Sequence, residues 1–408
     1  MEAIDILQDA HRRHPKDAGV LALLSLAYLD SGNHEMYLKT RADLAELKAA
    51  SQELSPEDLL LIAQVEMFGN IDQGVTTIQS VLDDYPSTLA LVFHVEAQMK
   101  QYFENGQEVT RDDALRKLDA VRLLMPNSAY VERIEFWANF ALMLSGDDTP
   151  ERQARVERAA DRLGQHPNYP SARNARAFYF AHLGEINDAR REWQALQDFG
   201  TGGWMAVYFA AFEYQHGRYS RALNLLRDAS SDSVWASVFL GEVLALQHDD
   251  DGQTQAREYY QNAQGKMTAH AFQPHDFVGV PETILMLLGA QDEATDKIQD
   301  CLDRSDHDSR RYSCQREILE FVADPNMDPD DLLAVVHGRN NRVMAHKVIA
   351  FRYLSRGQLD LAEHHLEQCY EAGPFQPDAY WANAILARLR HDTEWRQVFE
   401  TKSASSIY

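Results

Sequence analysis

Hydrophobic residues recur at helical spacing along nearly the whole chain. The clearest stretch runs from 344 to 374, where two amphipathic segments flank a short turn at 355–358. In each segment the apolar positions fall three or four residues apart, which places them on one face of a helix. These positions are Ile349, Ala350 and Tyr353 in the first segment, and Leu359, Ala362, Leu366 and Cys369 in the second. The pattern predicts a helical hairpin whose two apolar faces pack on each other.

The hairpin pattern repeats along the sequence with a regular period. Glycines at the predicted turns lie mostly about 33 to 40 residues apart, and each separates two amphipathic stretches. They are Gly32, Gly69, Gly106, Gly146, Gly184, Gly217, Gly289 and Gly357. A period of this length predicts a stack of helical hairpins, in which each hairpin buries its apolar face against its neighbours.

Small residues lie at the predicted helix crossings, with larger ones beside them. In the clearest unit, Ala350 and Ala362 are the small pair, Tyr353 and Leu366 flank them, and Pro374 ends the unit. This combination resembles the tetratricopeptide repeat. The resemblance implies an all-α fold, a right-handed superhelical solenoid of about nine or ten antiparallel helix pairs. It also implies that the first helix of each pair lines a concave groove for partner segments.

The register of the repeats divides the chain into four predicted parts. Residues 1–302 form a repeat array, 303–341 an irregular helical hairpin without a turn glycine, 342–402 the C-terminal repeats and cap, and 403–408 a tail. The first helix matches the second helix of a unit, so the array starts in mid-repeat. Either this helix caps the array, or the native chain begins further upstream.

The net charge of the chain indicates which classes of partner it can bind. The formal net charge is -24, and nonspecific binding of nucleic acid depends on Lys and Arg that neutralise phosphates. The sequence therefore disfavours nucleic acid and favours a protein or peptide segment that is apolar, aromatic or basic. No signal peptide or membrane span is recognisable, and three cysteines are too few for a disulfide framework. We expect a cytoplasmic protein that does not bind membranes.

The groove-facing positions of the first helices are rich in aromatic residues. Large side chains of this kind dominate binding energy at protein interfaces, so they are the predicted anchors for a partner segment. The candidate anchors are Phe93, Phe136, Phe140, Phe178, Trp204, Tyr214 and Trp235, and the candidate orienting charges are Lys100, Arg133 and Lys347. Glu96 and Glu242 are among the few other polar residues at such positions. The alternative is that a strongly twisted array buries the aromatic residues against one another.

The sequence contains no specific catalytic or metal-binding motif. The segment 247–258 partly matches a calcium loop, but Gln247 stands where such loops have their first aspartate, so an acidic turn is favoured. Four arginines between 152 and 162 are interpreted as a solvated helix face, and the adjacent His364 and His365 as exposed residues. No cofactor or metal is expected, and Cys301 is interpreted as a core residue.

The segment 268–281 departs from the repeat pattern. Its aromatic residues and prolines suggest an extended stretch, and Pro281 predicts that the next helix starts there, because proline breaks a helix interior. The segment serves either as packing or as a binding loop. An enzymatic site near His270, His275 and Asp276 is a minor alternative.

The sequence therefore predicts a non-catalytic scaffold that captures a partner segment in an aromatic groove. A second interpretation is a regulatory or docking arm of a larger bacterial signalling protein, similar to kinase-like ones, whose catalytic domain lies upstream. The resemblance does not extend to the clamp that binds chaperone tails, since the paired Lys and Asn positions hold other residues.

Overall fold

The computed structural model describes residues 2–30, 34–50, 54–105, 108–197, 199, 203–231, 233–247, 249–269, 282–304, 313–374 and 376–405, at a few of these positions through the backbone only. These residues form α-helices joined by turns, so the predicted all-α fold of antiparallel helix pairs is confirmed. The chain divides into two compact units, unit 1 at 1–201 and unit 2 at 202–408. The boundaries at 302, 341 and 402 mark changes in the repeat register and stay a prediction.

Within the described residues, unit 1 consists of a single helix followed by five helical hairpins. Within each hairpin the first helix packs against the second, and the first helices of neighbouring hairpins also contact one another. They therefore form an inner layer. The helices are α1 (Glu2–Arg13), α2 (Ala18–Asp30), α3 (His34–Ala50), α4 (Pro56–Gly69), α5 (Ile71–Asp84), α6 (Thr88–Asn105), α7 (Glu108–Leu124), α8 (Ala129–Leu144), α9 (Pro150–Leu163), α10 (Pro170–His182) and α11 (Ile186–Gln197).

Unit 2 contains six hairpins in the part that is described, so eleven are seen in all where nine or ten were predicted. Two of its hairpins are short. The helices are α12 (Gly203–Gln215), α13 (Tyr219–Ala229), α14 (Val234–Ala245), α15 (Asp250–Ala269), α16 (Glu282–Leu287), α17 (Gln291–Arg304), α18 (Ser313–Ala323), α19 (Pro329–Val335), α20 (Arg339–Ser355), α21 (Leu359–Ala372), α22 (Pro377–His391) and α23 (Thr393–Ser405).

The first helices of unit 2 contact each other in a closed circuit. Helix α12 contacts α14, α14 contacts α16, α16 contacts α20, α20 contacts α22, and α22 returns to α12. The last hairpin of the unit therefore packs against the first. The sequence pattern did not predict this closure.

Local sequence explains where many helices begin. Ser55, Ser128 and Thr149 each accept a hydrogen bond from the backbone N–H three residues further on. These caps satisfy a donor that would otherwise lack an intrahelical partner. The first described residue of α16 is Glu282, and Pro281, where the helix is predicted to start, lies outside the described residues. Residues 270–281, with the histidines considered for an enzymatic site, lie outside the described residues.

The segment considered as a calcium loop is the start of a helix. Asp249 accepts a hydrogen bond from the backbone N–H of Gly252, and α15 follows from Asp250. The acidic residues therefore lie in the first turn of a helix, where negative charge is favoured by the helix dipole. No helix in the described part of the chain combines the length and apolar character needed to cross a membrane.

Most of the predicted turn glycines that can be examined take the left-handed conformation. Positive φ angles occur at Gly146, Gly184, Gly217, Gly289 and Gly357. Gly32 and Gly106 lie outside the described residues, and Gly69 is the last residue of α4, followed by Asn70 with φ -156°. Gly69 is therefore helical and does not form the predicted turn. Asn70 is the residue between the two helices, and its side chain caps the start of α5.

Gly217 and Gly265 offer a matched test of this turn chemistry. Gly217 has φ +73°, whereas Gly265 lies inside α15, and a Cβ at either site would meet nothing within 4 Å. We expect Gly217→Ala to lower the free energy of unfolding by about 1 kcal/mol, because L-residues are strained in the left-handed region. Gly265→Ala is expected to raise it by about 0.5 kcal/mol. Urea denaturation measures both, and changes of the same sign would contradict the assignment.

Candidate interaction surface

A polar cluster lies on the inner layer of unit 1, on three successive first helices. We call it the Glu96 cluster. It consists of Gln64 on α4, Glu96 and Lys100 on α6, and Tyr130 and Arg133 on α8. These residues come from separate hairpins, so the stacking of the repeats brings them together.

Glu96 is the centre of this cluster. The Tyr130 hydroxyl donates a hydrogen bond to Oε2 of Glu96, and Nη2 of Arg133 donates to Oε1 at 3.0 Å. Nζ of Lys100 lies 3.7 Å from the same Oε1 atom. The Arg133 guanidinium also lies over the Tyr130 ring, 4.6 Å from its centroid, a cation–π arrangement. The contacts fix the orientation of the Arg133 and Tyr130 side chains.

Electrostatics keep Glu96 ionised. Burial alone would raise the pKa of Glu96, but the charges of Arg133 and Lys100, with hydrogen bonds from Tyr130 and Arg133, lower it to about 2. Burial and the Glu96 charge raise the pKa of Tyr130. At neutral pH the cluster therefore holds one anion, two cations and a neutral phenol.

The cluster contains two of the predicted partner-binding residues, Lys100 and Arg133, and a third, Phe93, contacts it through Tyr130. Side-chain exposure is 39% for Lys100 and 21% for Arg133, so both reach the surface. Phe93 is buried, and its ring meets Tyr130 edge to face at 6.0 Å between centroids. Tyr130 was not among the predicted residues, although it lies three positions before Arg133 and thus on the same helix face.

Three other predicted anchors lie inside unit 1. Phe136 and Phe140 on α8 have ring centroids 5.0 Å apart, and Phe178 on α10 lies 5.6 Å from Trp193. All three phenylalanines are buried. These side chains pack at the contact between α8 and α10. The two helices approach each other so closely that no open groove remains at these positions. In this conformation they offer almost no surface to a partner.

The arginine row on α9 forms the expected solvated face only in part, since Arg158 is exposed and Arg155 lies 3.4 Å from Glu151, but three of the arginines also contact neighbouring helices. Arg152 donates to Asn139 at 3.1 Å, Arg162 to Glu132 at 2.6 Å, and Arg155 to Asp119 at 2.8 Å. Two of these partners, Glu132 and Asn139, are buried on α8. These arginines therefore link α9 to α7 and α8. The spacing of charges along α9 alone could not predict these partners.

The predicted anchors of unit 2 are mostly packed against other helices of that unit. Tyr214 is buried beside Trp381 of α22, at 5.4 Å between ring centroids, and its hydroxyl accepts from Nη1 of Arg388 at 2.7 Å. Burial raises the pKa of Tyr214 to about 12, although Arg388 opposes the shift. Trp235 is half-buried and stacks on Phe239 at 6.3 Å. The side chain of Trp204 lies outside the described residues.

Lys347 is an interior residue, with only 1% of its side chain exposed. Its Nζ lies 2.8 Å from Oε1 of Glu242 and 2.6 Å from Oδ1 of Asp378. Thr283 donates to the same Glu242 oxygen at 2.7 Å. Burial opposes the charge of Lys347, but the two carboxylates raise its pKa, while burial raises the pKa of Glu242 despite Lys347. Lys347 thus joins α14, α20 and α22, and it does not lie in a groove as predicted.

The histidine pair was placed correctly only in part. His364 is exposed, but His365 is buried, and its Nδ1 lies 3.0 Å from Nδ1 of His346. Burial lowers the pKa of both His346 and His365 to about 4; neighbouring positive groups add to the shift, and Asp330 opposes it at His365. Both rings are therefore neutral at pH 7. Among the described residues no group of three or more His, Cys, Asp or Glu side chains is arranged to hold a metal ion.

Comparison with known proteins yields structural neighbours only. No protein-family model matches the chain, and no curated protein matches it. A thermophilic TPR protein of Thermus thermophilus, TTC0263, is 17% identical, and the match covers 51% of this chain and 100% of that one with a TM-score of 0.38. Naa15, in a structure with Naa10 and HypK-THB, is 11% identical over 98% of this chain and 81% of that one, with a TM-score of 0.22. Both TM-scores are below 0.5, so the description of the fold as TPR-like helical repeats rests on the helices of this chain.

Proposed function

We propose that the chain is a non-catalytic scaffold that holds a segment of a protein partner on the inner layer of unit 1. The observation that carries the proposal is the Glu96 cluster, in which Lys100 and Arg133 reach the surface beside the Tyr130 ring. Aromatic and arginine side chains held in a fixed orientation are typical binding anchors, because little conformational entropy is lost when a partner docks.

The partner we infer is a peptide segment with an aromatic or apolar anchor. The Tyr130 ring, supported by Phe93, offers an aromatic surface, and the two cations beside it set the orientation of the bound backbone. The net charge of -24 additionally attracts partners of opposite charge at long range and speeds their association. No catalytic role is proposed for any residue.

Replacing Lys100 and Arg133 tests this surface. We expect the Lys100→Ala, Arg133→Ala double variant to bind the partner at least about tenfold more weakly, because tenfold corresponds to about 1.4 kcal/mol and an arginine anchor at the centre of an interface typically contributes about 2 kcal/mol or more. The partner is first captured with wild-type protein and identified by mass spectrometry. Its affinity for each purified variant is then measured by calorimetry.

A charge-matched control shows whether a loss of affinity comes from the Glu96 cluster or from the change in net charge. Arg116 and Arg191 also belong to unit 1, and each has 78% of its side chain exposed. The Arg116→Ala, Arg191→Ala variant removes the same charge and is expected to keep the wild-type affinity. Equal loss in both variants, with both shown to be folded by circular dichroism, would exclude the Glu96 cluster as the binding site.

A further inference from the structure

Two histidine side chains meet between the helices of the α20–α21 hairpin. Nδ1 of His346 on α20 lies 3.0 Å from Nδ1 of His365 on α21, and the two ring centroids are 5.3 Å apart. The histidines belong to different helices, so the packing of the hairpin brings the two nitrogen atoms together.

The surroundings hold the His365 ring in place. It stacks on the Tyr353 ring at 5.6 Å and 20°, and the His364 ring meets it edge to face at 5.2 Å between centroids. Only 8% of His365 is exposed, whereas His346 is half-buried. The pair is therefore fixed by packing on the His365 side and reaches solvent on the His346 side.

The distance between the two Nδ1 atoms fits a shared metal ion. Imidazole nitrogens lie about 2.0–2.1 Å from a bound zinc ion, so two of them are about 2.9 Å apart at a right angle and about 3.3 Å apart at the tetrahedral angle. The observed 3.0 Å falls between these values. The rings must rotate to point both lone pairs at one ion, but their nitrogen atoms already have the required separation.

Charged groups near the pair do not exclude a cation. Arg342 places a positive charge near His346, and Asp330 of α19 places a negative charge near His365. Both residues are exposed, so solvent and salt screen their charges. The two effects also oppose each other, which leaves no strong local field against a divalent ion.

Metal binding requires that both Nδ1 atoms be unprotonated. In the neutral pair one Nδ1 carries the hydrogen that lies between the rings, and the other ring carries its hydrogen on Nε2. The bridging hydrogen must therefore move through water to Nε2 of its own ring. Each ring then remains neutral with one N–H, so the ion binds without net release of protons.

We propose that His346 and His365 bind a divalent transition-metal ion through their two Nδ1 atoms, with water in the remaining positions. Imidazole suits zinc, copper and nickel, and copper(II) is bound most tightly of the three. Among the described residues no third His, Cys, Asp or Glu side chain completes the site, so the ion keeps open positions. The bound ion joins α20 to α21. This inference concerns unit 2 and is independent of the function proposed for unit 1.

Calorimetric titration of the full-length chain with Zn(II) tests the site. His365→Gln keeps an amide that can hydrogen-bond to His346 but lacks the ligand nitrogen. We expect this variant to bind zinc at least about tenfold more weakly than wild type, since loss of a residue that merely supports a ligand already costs about 10–100-fold. His364→Ala removes the exposed histidine next in sequence and is the matched control, with the affinity of wild type expected.

Two outcomes of the titration would overturn the proposal. One is an equal loss of affinity in His364→Ala, and the other is no loss in His365→Gln. Either would show that zinc binds only adventitiously at exposed histidines. Circular dichroism checks that both variants are folded.

Measurements on the wild-type chain decide the question even if His365→Gln does not fold. With one equivalent of Cu(II), the electron paramagnetic resonance spectrum should show coupling to two imidazole nitrogens. With saturating Zn(II), the amides of α20 and α21 should exchange more slowly, because the ion joins the two helices in the folded state only. Unchanged exchange in these helices, or coupling to a single nitrogen, would contradict a site shared by His346 and His365.

Discussion

Replacing Lys347 by Met should destabilise unit 2 by about 3–5 kcal/mol, which is a large share of the 5–15 kcal/mol that holds a typical domain folded. The reason is that Glu242 and Asp378 would remain buried as two carboxylates without their shared cation. Urea denaturation followed by circular dichroism measures the loss. The exposed Arg390–Glu367 pair supplies the control, since Arg390→Ala is expected to cost less than about 1 kcal/mol.

The pH dependence of the Lys347→Met variant has a defined sign. Burial already raises the pKa of Glu242 in the wild type, and loss of the cation raises it further. A carboxyl whose pKa is higher in the folded state than in the unfolded state stabilises the fold at low pH and loses that contribution as pH rises. The deficit of the variant relative to wild type should therefore shrink from pH 7 to pH 5.

Removing the carboxylates together with the cation provides a further check. The combined Lys347→Met, Glu242→Gln, Asp378→Asn variant should recover part of the lost stability, because no uncompensated charge stays buried. A loss below about 1 kcal/mol in Lys347→Met, or no recovery in the combined variant, would show that the ion cluster is not what holds α14, α20 and α22 together.

Phe136→Ala is expected to lower the free energy of unfolding by about 3–5 kcal/mol, the usual cost of truncating a buried aromatic side chain. Phe136 is 0% exposed and lies 5.0 Å from the ring of Phe140 and 5.2 Å from that of Trp137. Truncation leaves a cavity that the surrounding rings can close only in part. Thermal and urea unfolding provide the measurement.

Leu123 offers a matched control for this substitution. It belongs to the same unit but is 81% exposed, so Leu123→Ala should change stability by no more than about 0.5 kcal/mol. If Phe136→Ala instead left stability unchanged and abolished partner binding, the phenylalanine would act at the surface, as the sequence pattern first suggested.

The sequence by itself determined the helices and most of their turns. Helical periodicity, caps such as Ser128 and left-handed glycines such as Gly217 depend on residues within a few positions of each other. The hairpin around Gly357 forms as predicted, with Ala362, Leu366 and Cys369 buried on one face of α21. Local spacing also placed Lys100 and Arg133 on the inner layer, because first and second helices alternate regularly.

Only the tertiary structure decided which of the predicted anchors reach the surface and which form the core. Lys100 and Phe136 are both predicted at groove-facing positions of first helices. The contact of α8 with α10 nevertheless buries Phe136. The burial of Lys347 could not be predicted from its own helix either. Its partner Asp378 lies on α22, which packs against the first hairpin of unit 2. Periodicity records the face of a helix on which a residue lies. The helix that covers this face depends on packing between residues far apart in the chain, such as Tyr214 and Arg388, and no local pattern encodes that packing.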